Sequence, residues 1–142
     1  MQPGPLTAAD LLKTGNTAVE LGAGSAGITT VVLAKCLVKG GRVLATDIGP
    51  SLKLLQQNIN AHVDVLSRGR PSSEQRSNPK ADLAEIAIAS LNWKHDDAAS
   101  LLTSHGVLNG SDLVLLCDCI YNYALIRPFL DTCKELCLYQ EQ

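Results

Sequence analysis

Short β-leaning runs and helical segments take turns along this chain, and that alternation constrains the fold more than any other feature. Thr17-Ala-Val-Glu-Leu21 is a β-leaning run that leads directly into a glycine cluster. Residues 28–37, ITTVVLAKCL, are apolar enough for a helix buried against a sheet, and Gly40-Gly41 stops it. Arg42-Val-Leu-Ala-Thr46 is a second strand that ends at Asp47. Gly49-Pro50-Ser51 opens a second helix, with Ser51 expected as its N-cap and Leu52, Leu55 and Ile59 along one face. A third strand covers Glu85–Ala89, and Asp96 or Asp97 caps a short helix through Leu102. A fourth strand, Asp112–Cys117, is apolar on both faces. Tyr123–Leu138 is amphipathic, with Ile126, Phe129, Leu130, Cys133, Leu136 and Cys137 expected on the inner side. Four β-α units in succession imply a parallel sheet with right-handed crossovers. The expected architecture is a three-layer, Rossmann-like α/β sheet in the order 3-2-1-4.

One segment breaks the rhythm. Residues 67–80, SRGRPSSEQRSNPK, have no apolar period, and the stretch 67–82 is expected to be a flexible surface insertion. The 142 residues otherwise fit a single domain. A fourth strand apolar on both faces normally lies inside a sheet, yet a 3-2-1-4 order leaves it at an edge. The chain is therefore expected to be a truncated piece of a larger α/β domain.

Composition narrows the function classes. Twelve basic residues against 14 acidic ones give a net charge of −2, so no overall basic field argues for nucleic acid. No apolar run approaches the roughly 20 residues that cross a bilayer, and MQPGPLTAAD does not read as a secretory signal. A cytoplasmic monomer is expected, with the nucleus as a second location. The five cysteines, Cys36, Cys117, Cys119, Cys133 and Cys137, are an odd set without zinc-finger spacing. They are expected to be small buried thiols, with no disulfide framework and no metal site.

The chemistry-bearing residues cluster where strands end, which is where open parallel sheets bind ligands. Glu20-Leu-Gly22-Ala-Gly24-Ser-Ala-Gly27 follows the first strand, Asp47 the second, Asn92-Trp93 the third and Asp118-Cys-Ile-Tyr121 the fourth. The glycines let backbone approach a ligand at a helix N-terminus. Asp47, 20 residues past Gly27, suits ribose hydroxyls. This much says nucleoside cofactor, and Gly22-x-Gly24-x-x-Gly27 also matches the dinucleotide fingerprint. Glu20 tips the choice. Its carboxylate would repel a pyrophosphate but attract the ammonium and sulfonium of S-adenosyl-L-methionine. Simpler roles stay open: Trp93 as core filling, Tyr121 as a strand-end hydrogen-bonding residue, Asp118 as a helix cap and Asp47 as a turn residue.

ELGAGSAG, ATDIGPSLKLLQQNIN, LNW and CDCIYN, in this order, resemble the seven-strand S-adenosylmethionine-dependent methyltransferases, and more narrowly the family-16 protein-lysine methyltransferases. DCIYNYALIRPFLDTCKELC resembles fungal-type members that act on translation elongation factors. The resemblance implies a protein substrate with a lysine acceptor. It places Gly22, Ala23 and Gly24 against the methionine part, Asp47 on the ribose and Trp93 on the adenine. It puts Cys117 in the wall of the cofactor pocket and Asp118 and Tyr121 beside the acceptor lysine as the catalytic pair. Three departures stand out. Ser25-Ala26 replaces the family's Thr-Gly, no Trp precedes Trp93, and the family's last three strands are expected to be absent. Two other readings compete: a catalytically silent methyltransferase-like fragment, and an NAD-dependent oxidoreductase resting on the glycine fingerprint and Asp47.

Overall fold

A computed structural model describes residues 15–37, 40–68, 83–108 and 110–137. Four strands, β1 (Thr17–Leu21), β2 (Arg42–Asp47), β3 (Glu85–Ser90) and β4 (Leu113–Leu116), alternate with α1 (Ile28–Leu37), α2 (Gly49–Arg68), α3 (Ala98–Ser104) and α4 (Tyr123–Cys137). All strand pairs are parallel and the order is β3-β2-β1-β4, as the alternation predicts. Glu20 pairs with Ala45 on one side and with Leu115 on the other.

Side-chain alternation along the strands divides the core into layers. Val19, Leu21 and Leu44 face the α3–α4 side, where they pack with Leu91, Leu102, Phe129 and Leu136. Ala18, Val43 and Ala45 face α1 and α2, meeting Ala34, Leu37, Leu55 and Ile59. Glu20 shares the parity of Ala18, so its carboxylate is directed into the α1–α2 layer. Both central strands are buried, whereas β4 pairs only with β1 among the described residues and is half-buried to exposed. Its first turn is braced: the Thr17 amide donates to Asp112 Oδ2 at 2.7 Å, and the Asp112 amide donates to the Thr17 carbonyl at 2.9 Å.

Several local expectations need correction. Ser51 is not the N-cap of α2, because the helix already begins at Gly49. Pro50, with φ fixed near the helical value and no amide to satisfy, suits that first turn. Ser67 and Arg68 belong to α2 rather than to the insertion, and residues 69–82 lie outside the described residues. Of the two cap candidates for α3, Asp97 is the one used, as the sequence allowed: its Oδ1 accepts the Ser100 amide at 3.0 Å. These hydrogen bonds hold the Asp97 carboxyl below its ordinary value. On α4 the buried stripe is Phe129, Thr132 and Leu136, while Leu130 is 48% exposed and Cys137 is exposed. Leu130 sits about 100° around the helix from Phe129 and so leaves the core face. The cysteines are not uniformly buried either. Cys119 is buried and Cys133 intermediate, but Cys36, Cys117 and Cys137 are exposed, on an outer helix face, at a strand end and at a helix end. All five are free thiols.

Candidate functional site

Strand order reverses at β1, and a cleft of about 590 Å³ opens beyond the carboxyl ends of the strands at that point. The structure brings all nine expected residues to its lining: Glu20, Gly22, Ala23, Gly24, Asp47, Trp93, Cys117, Asp118 and Tyr121. A larger hollow of about 710 Å³ lies at the amino ends of β2 and β3, beside Leu83. None of the glycine-turn residues lines it, so the geometry favours the smaller cleft.

The glycine turn is stitched to the neighbouring strand. The Ala23 amide donates to the Thr46 carbonyl at 2.9 Å, and the Gly24 amide donates to Asp47 Oδ2 at 2.6 Å. Asp47 Oδ1 also accepts the Ile48 amide at 2.7 Å. Asp47 therefore also has a turn role, the simpler reading left open for it, but the turn it holds is the glycine turn beyond β1 as well as its own. A carboxylate has about four acceptor sites, so it can still accept ribose hydroxyls. Gly24 has φ +64 and nothing within 4 Å of where a Cβ would stand, which leaves open space toward the cleft. Gly27 has the opposite surroundings. A Cβ there would lie 2.6 Å from Ile59 Cγ1 and 3.1 Å from Leu55 Cδ1, so this glycine lets α1 and α2 close together.

Glu20 is less accessible than its sequence context suggests, at 2% exposed. Its Oε2 accepts the Thr30 hydroxyl of α1, and Thr46 Oγ1 donates to its main-chain carbonyl at 2.8 Å. Burial pushes its carboxyl above the ordinary 4.5; the Thr30 and Thr29 hydroxyls pull it back, and the Asp47 charge adds to the rise.

Trp93 is at once a core and a cleft residue. Its ring meets Phe129 edge-on, with centroids 5.1 Å apart and planes at 63°, and it packs against the core while also lining the cleft. The loop presenting it is fixed by Asp96, whose Oδ2 accepts the Asn92 amide at 2.7 Å, and by the Leu91 amide bonding to the Asp47 carbonyl at 3.0 Å.

Beyond β4 the chain turns sharply. Asp118 adopts φ 54, the one non-glycine positive φ among the described residues, and it is exposed at the rim. It does not cap α4: Asn122 Oδ1 accepts the Ala124 amide at 3.0 Å instead. Tyr121 is 80% exposed, and no hydrogen bond holds its hydroxyl at a strand end among the described contacts. Cys119, which the motif reading passed over, is the buried member of the Cys117-x-Cys119 pair. Its thiol donates to the Leu21 carbonyl at 3.0 Å and tethers this turn to β1, and burial raises its pKa. Thr29 and Lys94 also line the cleft and carried no motif.

The donor set suits a cation-bearing nucleoside. Among the described residues, Glu20, Asp47 and Asp118 line the cleft against Lys94 as its one basic residue. That balance opposes a pyrophosphate and favours a sulfonium and an ammonium. The volume lies within the roughly 300–1,000 Å³ usual for small-molecule sites, and the cradle at Gly24 is open. No cluster of three or more His, Cys, Asp or Glu that could hold a metal occurs among the described residues. No helix among them is long and apolar enough to cross a membrane.

Residues 8–142 match a protein family described as lysine methyltransferase. The chain is 32% identical over 127 residues to a ribosomal lysine N-methyltransferase 5 from Eremothecium gossypii, covering 83% of this chain and 38% of that protein. The protein of the same name from Lachancea thermotolerans is 34% identical over 127 residues, covering 83% and 36%. That from Candida glabrata is 26% identical over 150 residues, covering 91% and 42%. The chain thus spans about two-fifths of the length of these relatives.

Proposed function

Since the chain belongs to the lysine methyltransferase family, we propose that its cleft binds S-adenosyl-L-methionine and serves methyl transfer to a lysine side chain of a protein. The observation that carries this reading is the convergence of Glu20, Asp47, Trp93 and the Asp118-x-x-Tyr121 pair on one cleft at the point where strand order reverses.

When bound, S-adenosyl-L-methionine supplies a methyl group already activated on a sulfonium. The chain's own residues then have to bind, align and desolvate. Gly22, Ala23 and Gly24 give the methionine part a close backbone surface, with Glu20 attracting its ammonium. Asp47 accepts the ribose hydroxyls, Trp93 covers the adenine, and Cys117 forms part of the wall. A lysine amine is protonated near neutral pH, with a pKa around 10.4, and attacks only as the neutral base. Asp118 orients that amine at the rim, and the Tyr121 ring walls the channel that leads it in. The left-handed backbone at Asp118 is strain of the kind held at functional sites. Most of the rate gain expected here comes from alignment.

The relatives' names favour a lysine on a ribosomal protein as acceptor, with an elongation factor as the competing target, and a cytoplasmic location accords with either. Labelled S-adenosylmethionine incubated with this chain and purified ribosomes, or with purified elongation factors, separates the two. Asp118→Ala is expected to slow methylation about a hundredfold, the scale of a misaligned reactant; an unchanged rate removes Asp118 from the mechanism. Thermal stabilisation by NAD and not by S-adenosylhomocysteine would refute the methyltransferase reading.

A further inference from the structure

Buried polar side chains are rare in this fold, and two of them are spent on a single residue. Glu20, Thr30, Thr46 and Thr132 are the buried polar or charged residues among those described. Thr30 donates to the Glu20 carboxylate, and Thr46 donates to the Glu20 carbonyl. A leucine or valine at position 20 would fill the same layer without the cost of desolvating a carboxylate. Thr30 is itself 0% exposed on the inner side of α1, so its hydroxyl meets no solvent. Neighbouring Thr29 lines the cleft.

We propose that Thr30 is a positioning residue, whose hydroxyl fixes the Glu20 carboxylate in the orientation from which it meets the ammonium group of an amino-acid-bearing ligand in the cleft. This deepens, and rests on, the S-adenosylmethionine reading of the site. One carboxylate oxygen is engaged by Thr30, so rotation of the group is blocked. A carboxylate has about four acceptor sites, so beside the Thr30 and Thr29 hydroxyls it keeps capacity for the ligand's ammonium, and the recognition is confined to the amino-acid end. The adenosine end lies with Asp47 and Trp93 and does not depend on Thr30.

Two ligands isolate the effect. S-adenosylhomocysteine carries the amino-acid part, whereas 5′-methylthioadenosine lacks it. Calorimetric titration of the full chain is expected to show Thr30→Val weakening S-adenosylhomocysteine about tenfold, the scale of a charge-assisted hydrogen bond. Binding of 5′-methylthioadenosine stays within about twofold, and Thr30→Ser restores the wild-type ratio. An unchanged ratio in Thr30→Val, or an equal loss of both ligands, overturns the proposal and leaves Thr30 a packing residue. The Glu20→Gln background keeps the test usable if Thr30→Val alone does not fold. There, adding Thr30→Val must not change the affinity ratio, and a further drop overturns the proposal. A wild-type chain that binds neither ligand refutes the S-adenosylmethionine reading itself. One that binds both equally refutes the Glu20 contact, and Thr30's role with it.

Discussion

Gly24 and Gly27 sit three residues apart in one turn with nearly equal backbone angles, φ +64 and +69, yet an added methyl is expected to damage different properties at each. At Gly27 the new Cβ would stand 2.6 Å from Ile59 Cγ1 and 3.1 Å from Leu55 Cδ1. Both neighbours are core residues, 3% and 0% exposed, so neither can swing into solvent. Left-handed backbone costs an alanine about 1–2 kcal/mol, and forcing a methyl into a packed core adds about 1–3 kcal/mol. Gly27→Ala should therefore lose about 2–5 kcal/mol, a large part of the roughly 5–15 kcal/mol that holds an ordinary domain folded. At about 4 °C per kcal/mol for a chain of this size, melting falls by about 8–20 °C. Gly24→Ala meets open space, so only the backbone term of about 1–2 kcal/mol applies, but its methyl projects where the ligand must approach. Melting should fall by about 4–8 °C, with S-adenosylhomocysteine binding weakened at least about tenfold. Circular-dichroism melts and calorimetric titration of both variants give the comparison. A Gly27→Ala chain that melts no lower than Gly24→Ala would refute the reasoning, since the packing term would then be absent.

Other perturbations probe the rest of the cleft. Asp47→Asn replaces one acceptor oxygen facing a backbone amide with a donor, so it should cost about 1–3 kcal/mol in urea unfolding and weaken S-adenosylhomocysteine as well. Intact ligand affinity would separate Asp47 from the ribose role. Glu20→Gln tests the buried carboxylate through pH. Because burial raises the folded-state pKa above 4.5, the stability this group contributes is present below the unfolded value and lost as pH rises through the folded one. Glu20→Gln should thus withstand more urea than the unmodified chain at neutral pH and lose that advantage as pH falls toward 4.5; a pH-independent difference contradicts the assignment. Trp93→Phe keeps an apolar ring beside Phe129 and should retain most of the stability, whereas Trp93→Ala should lose a large share of the roughly 3–5 kcal/mol typical of such truncations.

The element pattern was legible because it depends on local physics. β-branched and apolar runs, bounded by glycines at β1 and β2, marked β1, β2 and β3 and hence the parallel order; the apolar run of residues 28–37 located α1, and helical stripes located α2 and α4. Where local signals are near-equal, the sequence leaves a choice that only packing settles. Asp96 and Asp97 are both good caps on paper, and only the backbone direction chose Asp97, leaving Asp96 to hold the Asn92 amide. Leu130 and Phe129 are both apolar, and only the 100° step decided which one the sheet covers. The cysteines were misread for the same reason, since small apolar character does not say which face of a helix or which end of a strand is covered.

For the site, the sequence determined which residues stand at the strand ends, because a parallel sheet with short crossovers gathers those ends on one side regardless of detail. Glu20, the Gly22–Gly24 turn, Asp47, Trp93, Asp118 and Tyr121 could be named on that ground alone. Only the tertiary structure decided how they are held. Asp47 ties down the glycine turn, Thr30 and Thr46 bury and fix Glu20, Cys119 anchors the turn beyond β4, and Asn122 rather than Asp118 caps α4. Apart from the local Asn122 cap, these contacts join residues from different elements, 98 positions apart in the case of Cys119 and Leu21. Local propensity carries no information across such a separation, and only the register of packed strands brings the partners within hydrogen-bonding distance.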